Sequence, residues 1–166
     1  MSQKVRIFIG AAVIVLIGGM VLGVEYLRGS TGLRSAGQVT LTPGSVPIYL
    51  DGDLVAAFAP DALETLDQVS FVDAEDGVLQ DGWLVRDVLL TYLPEDSLTL
   101  RTQITISSSI REKSASMTWA EVKDSENMVM FDLSNRGTLK LVSLLEALDT
   151  RDEWVQDVDR IELVTR

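Results

Sequence analysis

Hydrophobic and polar positions divide the chain into two unlike parts. Residues 7–24 (IFIGAAVIVLIGGMVLGV) run for 18 positions without a charge. A helix of that length spans roughly 27 Å, close to the hydrocarbon thickness of a bilayer. Its glycines, Gly10, Gly18, Gly19 and Gly23, would weaken a helix in water. In lipid they are tolerated, because the helix satisfies its own backbone groups. From residue 38 the pattern changes to short alternating runs broken by Gly, Pro and Asp.

Those runs predict many short strands with a few short helices. Residues 39–41 alternate up to Pro43-Gly44, a turn pair. Residues 46–50 and 54–58 flank Asp51-Gly52, a hairpin signal because both central turn residues need positive φ. Pro60 suits a first helical turn, so 61–66 predicts a short helix, and 68–72 returns to strand. Residues 73–82 read as a polar loop. Residues 84–93 (LVRDVLLTYL) carry Leu84, Val88 and Leu89 at helical spacing and stop at Pro94. Residues 98–106 alternate as a strand with one irregularity. Thr118 and Glu121 match a capping box, which starts a short helix at Trp119. Residues 127–133 and 139–144 predict two strands joined by the turn 134–138. Residues 152–155 suggest a helical turn and 159–164 a closing strand. On that strand Ile161 and Leu163 are expected to share a buried face, and the strand is expected to close the sheet against Val129, Phe131, Leu139 and Leu141. The fold class expected is α+β, mainly β, with an N-terminal transmembrane helix ahead of it.

Residues 1–28 therefore read as a membrane anchor, 29–37 as a Gly/Ser linker and 38–166 as one domain. A cleaved signal peptide is the competing reading, but its apolar core is shorter, about 7–15 residues. Lys4 and Arg6 before the run and Arg28 and Arg34 after it tie in number. A short basic tail ahead of the first apolar segment stays cytoplasmic, which exports the rest. The expected location is the cell membrane, single-pass, with the domain extracytoplasmic (periplasmic). Gly19 and Gly23 match a small-xxx-small helix-packing pair.

Composition narrows the chemistry. The chain has no Cys and no His. That removes thiolate and imidazole metal sites, disulfides, a catalytic thiol and His-dependent triads. The net charge of −11 disfavours nucleic acid. An acidic domain is also repelled by an anionic lipid surface.

Four sets of residues remain as candidates. Asp73, Glu75, Asp76 and Asp81 crowd one segment, but Gly77 and Leu84 stand where a calcium loop needs ligands, so a hydrated acidic loop is expected. Ser107, Ser108 and Ser109 precede Arg111, Glu112 and Lys113. A Ser–Lys nucleophile needs a desolvated lysine, and this polar stretch reads instead as a flexible loop. Arg111, Lys113 and Arg136 are scarce cations in an acidic domain and mark a ligand-pocket rim. Trp83, Trp119 and Trp154, each at the start of a helical pattern, are expected as core anchors. No catalytic residue and no metal ligand is assigned.

The order of elements resembles the small extracytoplasmic sulfite-oxidase-like, molybdopterin-binding oxidoreductase domains. The resemblance covers residues 38–164. It rests on Gly82-Trp83-Leu84-Val85-Arg86-Asp87-Val88-Leu89, similar to the family's G-x-x-L-x-D-L-L helix. The stretches 54–66, 100–106 and 119–122 follow the family's order. Asn135-Arg136-Gly137-Thr138-Leu139 resembles its G-x-x-L hairpin, and residues 154–163 (WVQDVDRIEL) resemble its closing W-x-x-V-x-x-I-x-L. The family's catalytic members hold molybdenum on a cysteine thiolate and place histidines around the pterin; this chain has neither residue. Arg101, Arg111, Lys113, Arg136 and Lys140 are the cations available to a pterin phosphate. The resemblance thus implies a fold without carrying over a catalytic residue.

Two functions follow as expectations. One is a membrane-anchored accessory domain without cofactor or metal, docking to a protein or ligand in a membrane or sensory assembly. The other is an oxidoreductase subunit binding a molybdopterin-type cofactor without a protein thiolate. The anchor is testable on its own. A retained apolar run resists carbonate extraction and leaves the N-terminus near Met1. An N-terminal sequence starting at Val24 or Glu25 would mean cleavage.

Overall fold

The computed structural model describes residues 39–165. The apolar run 7–24, the Gly19/Gly23 pair and the linker lie outside the described residues. Among those described, no helix is long and apolar enough to cross a membrane.

Among the described residues, ten strands and two short α-helices make an α+β, mainly β, fold. The strands are β1 (Val46–Leu50), β2 (Asp53–Phe58), β3 (Val69–Val72), β4 (Leu79–Leu84), β5 (Gln103–Ser108), β6 (Lys113–Thr118), β7 (Met130–Leu133), β8 (Leu139–Val142), β9 (Val155–Val158) and β10 (Arg160–Val164). The helices are α1 (Val85–Tyr92) and α2 (Trp119–Lys123). One sheet runs β2-β1-β10-β5-β6 and the other β3-β4-β7-β8-β9.

Local chemistry sets several elements. Asp51 and Gly52 both take positive φ, 52° and 91°, and close the β1–β2 hairpin. Thr118 caps α2 by accepting from the Glu121 amide, and the Glu121 carboxylate accepts from the Thr118 amide at 2.6 Å. Helix α1 buries Val85, Val88 and Leu89 and ends ahead of Pro94. The expected helix at 61–66 is a 3₁₀ segment, Pro60–Thr65. At Gly82 the backbones of β4 and β7 meet so closely that a Cβ would fall 2.0 Å from the Phe131 carbonyl oxygen. Only glycine permits that pairing.

Several expectations are corrected. Residues 39–41 form no strand, since the first ladder begins at Val46. The loop expected over 73–82 is shorter, because β4 starts at Leu79 and pairs with β3. The strand expected from 98 begins only at Gln103, because Thr102 turns back to donate to the Thr99 carbonyl. The polar stretch after the serines is β6, held along its length by β5. Residues 152–155 are not helical: a turn there leads into β9. Trp83 lies within β4 and Trp154 precedes β9, so of the three tryptophans only Trp119 begins a helix. All three are buried.

The last strand is the largest correction. β10 does not pair with β7 or β8. It lies in the middle of the other sheet, parallel to β1 and antiparallel to β5. Ile161 and Leu163 point into the core and meet Val129, Phe131, Leu139 and Leu141 within one cluster that both sheets share. The second sheet also covers its other face. Phe71, Leu84, Met130, Val142 and Trp154 form a separate cluster there. Along β8 this alternation turns Leu139 and Leu141 to the main core, and Val142 to the second cluster.

Ile161, fully buried between β1 and β5, should lose about 2–5 kcal/mol on change to Ala. Glu162 is half-buried and pairs with Arg160 at 2.5 Å; Glu162→Ala should cost no more than about 0.5 kcal/mol. Urea titration of both variants checks this order, and the reverse order would place the strand out of register.

Candidate functional site

Two turns converge on β9. The β5–β6 turn brings Arg111, the β7–β8 turn brings Arg136 and Thr138, and β9 supplies Asp157. The Asp157 carboxylate accepts from Arg111 Nε at 2.7 Å, from Arg136 Nη2 at 3.0 Å and from Thr138 Oγ1 at 2.8 Å. Its φ is +55°, left-handed backbone inside a strand, and Asp is among the few residues that tolerate it. The turns are themselves braced. Asp159 accepts from both the amide and the hydroxyl of Ser109. Gly137, at φ +75°, donates to the Ser134 carbonyl, and the Ser134 and Thr138 hydroxyls meet at 2.7 Å.

Electrostatics favours the charged carboxylate. The Thr138 hydroxyl, then Arg111, hold the Asp157 pKa below the usual Asp value, against partial desolvation. A second carboxylate behaves alike. Asp73 is almost fully buried, accepts from the Glu75 amide at 2.9 Å and from Arg151 Nε at 2.9 Å, and is lowered by that amide first and by Arg151 after it. Arg151 also pairs with Asp76, and Asp73 raises its pKa.

Between these two clamps lies a polar cleft of about 270 Å³, lined by Arg111, Lys113, Arg151, Asp152, Trp154 and Gln156. Lys113 Nζ donates to the Asp152 carbonyl oxygen. Trp154 is fixed by its Nε1, which donates to the Leu148 carbonyl at 3.0 Å. Lys140 and Arg151 lie over its ring, 5.2 and 6.0 Å from the centroid. Arg136 stands across Asp157, on a neighbouring groove of about 600 Å³ that includes Ile110 and Val158.

The expected rim residues are thus brought together in part. Arg111 and Lys113 share the cleft, while Arg136 reaches it only through Asp157. Lys113 is the first residue of β6 and bonds to a carbonyl rather than to a serine, and Ser108 is buried at the end of β5. Arg101 sits just ahead of Gln103, at the far end of β5 from the Arg111 turn. Asp73, Glu75 and Asp76 gather on Arg151: Asp73 is buried, whereas Glu75 and Asp76 stay exposed as expected of a hydrated loop, and the Arg151 amide also donates to Glu75. Asp81 lies in β4 and takes no part in that clamp. Sequence reasoning missed Asp157, Arg151 and Trp154 as site residues. No signal in spacing pairs them, because the partners lie far apart along the chain.

No protein-family model matches the chain, and the search of curated proteins finds no match.

Asp157→Asn keeps a residue that accepts left-handed backbone, removes the charge and turns one of the two accepting oxygens into a donor. It should destabilise the domain by about 1–3 kcal/mol at pH 7. The Asp157 pKa is depressed in the folded state, so its contribution is complete above the unfolded pKa of about 3.9 and is lost as pH falls through the folded value. Urea titrations from pH 7 down to pH 3 should show the gap between wild type and variant closing only below about pH 4.

Proposed function

We propose that this protein is a membrane-anchored, extracytoplasmic binding domain that works by recognition rather than by its own metal chemistry. The observation that carries the reading is the cleft. Arg111 and Lys113, from the β5–β6 turn and the start of β6, and Arg151, from the β8–β9 loop, are held in place at an open, polar surface by Asp157, the Asp152 carbonyl and Asp73. Guanidinium groups fixed from behind present donors outward, which suits binding. The uncharged run 7–24 supports the anchor.

A molybdopterin-type cofactor is the competing reading. The donor set of this chain does not fit molybdenum, since a soft thiolate is the ligand chemistry required and the sequence has no Cys. A subunit whose metal ligand sits on a partner chain would contain near-stoichiometric molybdenum when purified as a complex, and elemental analysis separates the two readings.

The absence of Cys also makes topology measurable. Leu100 is 62% exposed. A Leu100→Cys variant should react with a membrane-impermeant maleimide in cells whose cytoplasmic membrane is intact. Labelling only after lysis would overturn the extracytoplasmic reading.

A further inference from the structure

We propose that the cleft between β6, β9 and the β8–β9 loop binds a small tetrahedral oxyanion of the phosphate class. The inference deepens the binding reading above and is independent of the membrane anchor.

The size of the cleft comes first. Drug-sized ligands occupy pockets of about 300–1,000 Å³. At about 270 Å³ this cleft lies below that range, so it suits a small ion with its water rather than a nucleotide. Its lining is polar except for the wall provided by Trp154.

The donors come next. Arg111 spends Nε on Asp157, and no hydrogen bond joins its two Nη atoms to a described residue. Arg151 spends Nε on Asp73 and Nη1 on Asp76, leaving Nη2 with no hydrogen bond among the described residues. Lys113 pairs with no carboxylate among the described residues and gives one hydrogen bond to the Asp152 carbonyl, so two of its three donors remain. Gln156 adds an amide on the same lining. The carboxylates of Asp157 and Asp73 are absent from that lining. They fix the guanidiniums of two residues that line the cleft. A tetrahedral oxyanion offers acceptors in several directions, which matches donors arriving from three segments.

Charge accounting sharpens the case. Arg111 and Arg136 share the single carboxylate of Asp157, and Lys113 is held by a neutral carbonyl. Arg151 is offset by Asp73 and Asp76, so the cation at the cleft that pairs with no carboxylate among the described residues is Lys113, in a chain of net charge −11. Asp152 is the one acidic residue in the lining, and its charge opposes an anion. It therefore gives the proposal a test with two opposite signs.

Calorimetric titration of the full chain in neutral detergent, at pH 7 and constant ionic strength, uses inorganic phosphate and glycerol phosphate as probes, with chloride as the control. Saturable binding of phosphate over chloride is expected. Tighter binding of glycerol phosphate than of inorganic phosphate would identify a phosphate monoester as the preferred form, and the reverse the free ion. Lys113→Gln should weaken binding by about tenfold or more, the usual size of a charge-assisted contact. Asp152→Asn keeps the backbone carbonyl that holds Lys113 and should tighten binding several-fold. Lys123→Gln removes a cation paired with Glu95 elsewhere and should leave binding unchanged. Urea titration of each variant confirms that it is folded at the assay temperature. No saturable heat from either probe, or equal affinities for wild type, Lys113→Gln and Asp152→Asn, would overturn the proposal while leaving the anchor and the topology standing.

Discussion

The structure depends on the position of β10. The last strand of the domain inserts between the first strand and β5, parallel to one and antiparallel to the other. It cannot join until the rest of the sheet is close at hand, so its pairing closes the longest loop in the fold. Ile161 and Leu163 then fill the core while their backbones complete two ladders at once. The far end of the strand is pinned as well, because Thr165 donates through its amide and hydroxyl to Asp51 in the β1–β2 turn. A parallel neighbour on one side and an antiparallel one on the other leave no free edge at β10.

The candidate site is a consequence of that closure. β9 precedes β10 with only Asp159 between them, and the Asp159 amide donates to the Ser107 carbonyl of β5. Once β10 is in place, β9 must lie beside the β5–β6 hairpin even though it belongs to the other sheet. Arg111 is then within reach of Asp157, and Lys113 within reach of the Asp152 carbonyl. Electrostatic partners are thus selected by topology. The net contribution of each ion pair to stability is modest, because the guanidiniums of Arg111 and Arg136 stay exposed even though the Asp157 carboxylate between them is enclosed.

How much of this was legible in the sequence depends on the range of the interaction. The Asp51-Gly52 hairpin and the Thr118–Glu121 cap are decided within four residues, and both are seen. So is the alternation of Ile161 and Leu163. β6 was not legible because its inward residues are only Ala115 and Met117, set among small polar side chains that also suit a loop. β9 is hidden by the helical turn that residues 152–155 suggest, whereas Trp154 packs in the cluster on the other face of the second sheet. Asp157 meets Arg111 across 46 residues and Arg136 across 21, and no periodicity in the chain encodes such pairs. Asp73 looked like one member of a solvated acidic run until Arg151, 78 residues away, enclosed it.

Backbone strain follows the same geography. Among the described non-glycine residues, positive φ occurs at Asp51, Glu112, Met128 and Asp157. Asp51 sits in a hairpin that demands it. Glu112 and Asp157 lie instead on the two segments that meet at the site, one in the β5–β6 turn and one in β9. Left-handed backbone is costly for residues with a Cβ and persists where surrounding contacts over-determine it. At Asp157 those contacts are three donors converging on one carboxylate. At Glu112 they are the turn hydrogen bond to the Ser109 carbonyl and the β6 ladder that starts at the next residue. The strain buys position: Asp157 aims its carboxylate at Arg111 and Arg136 in the middle of a strand, and the turn through Glu112 leads directly into Lys113 at the cleft.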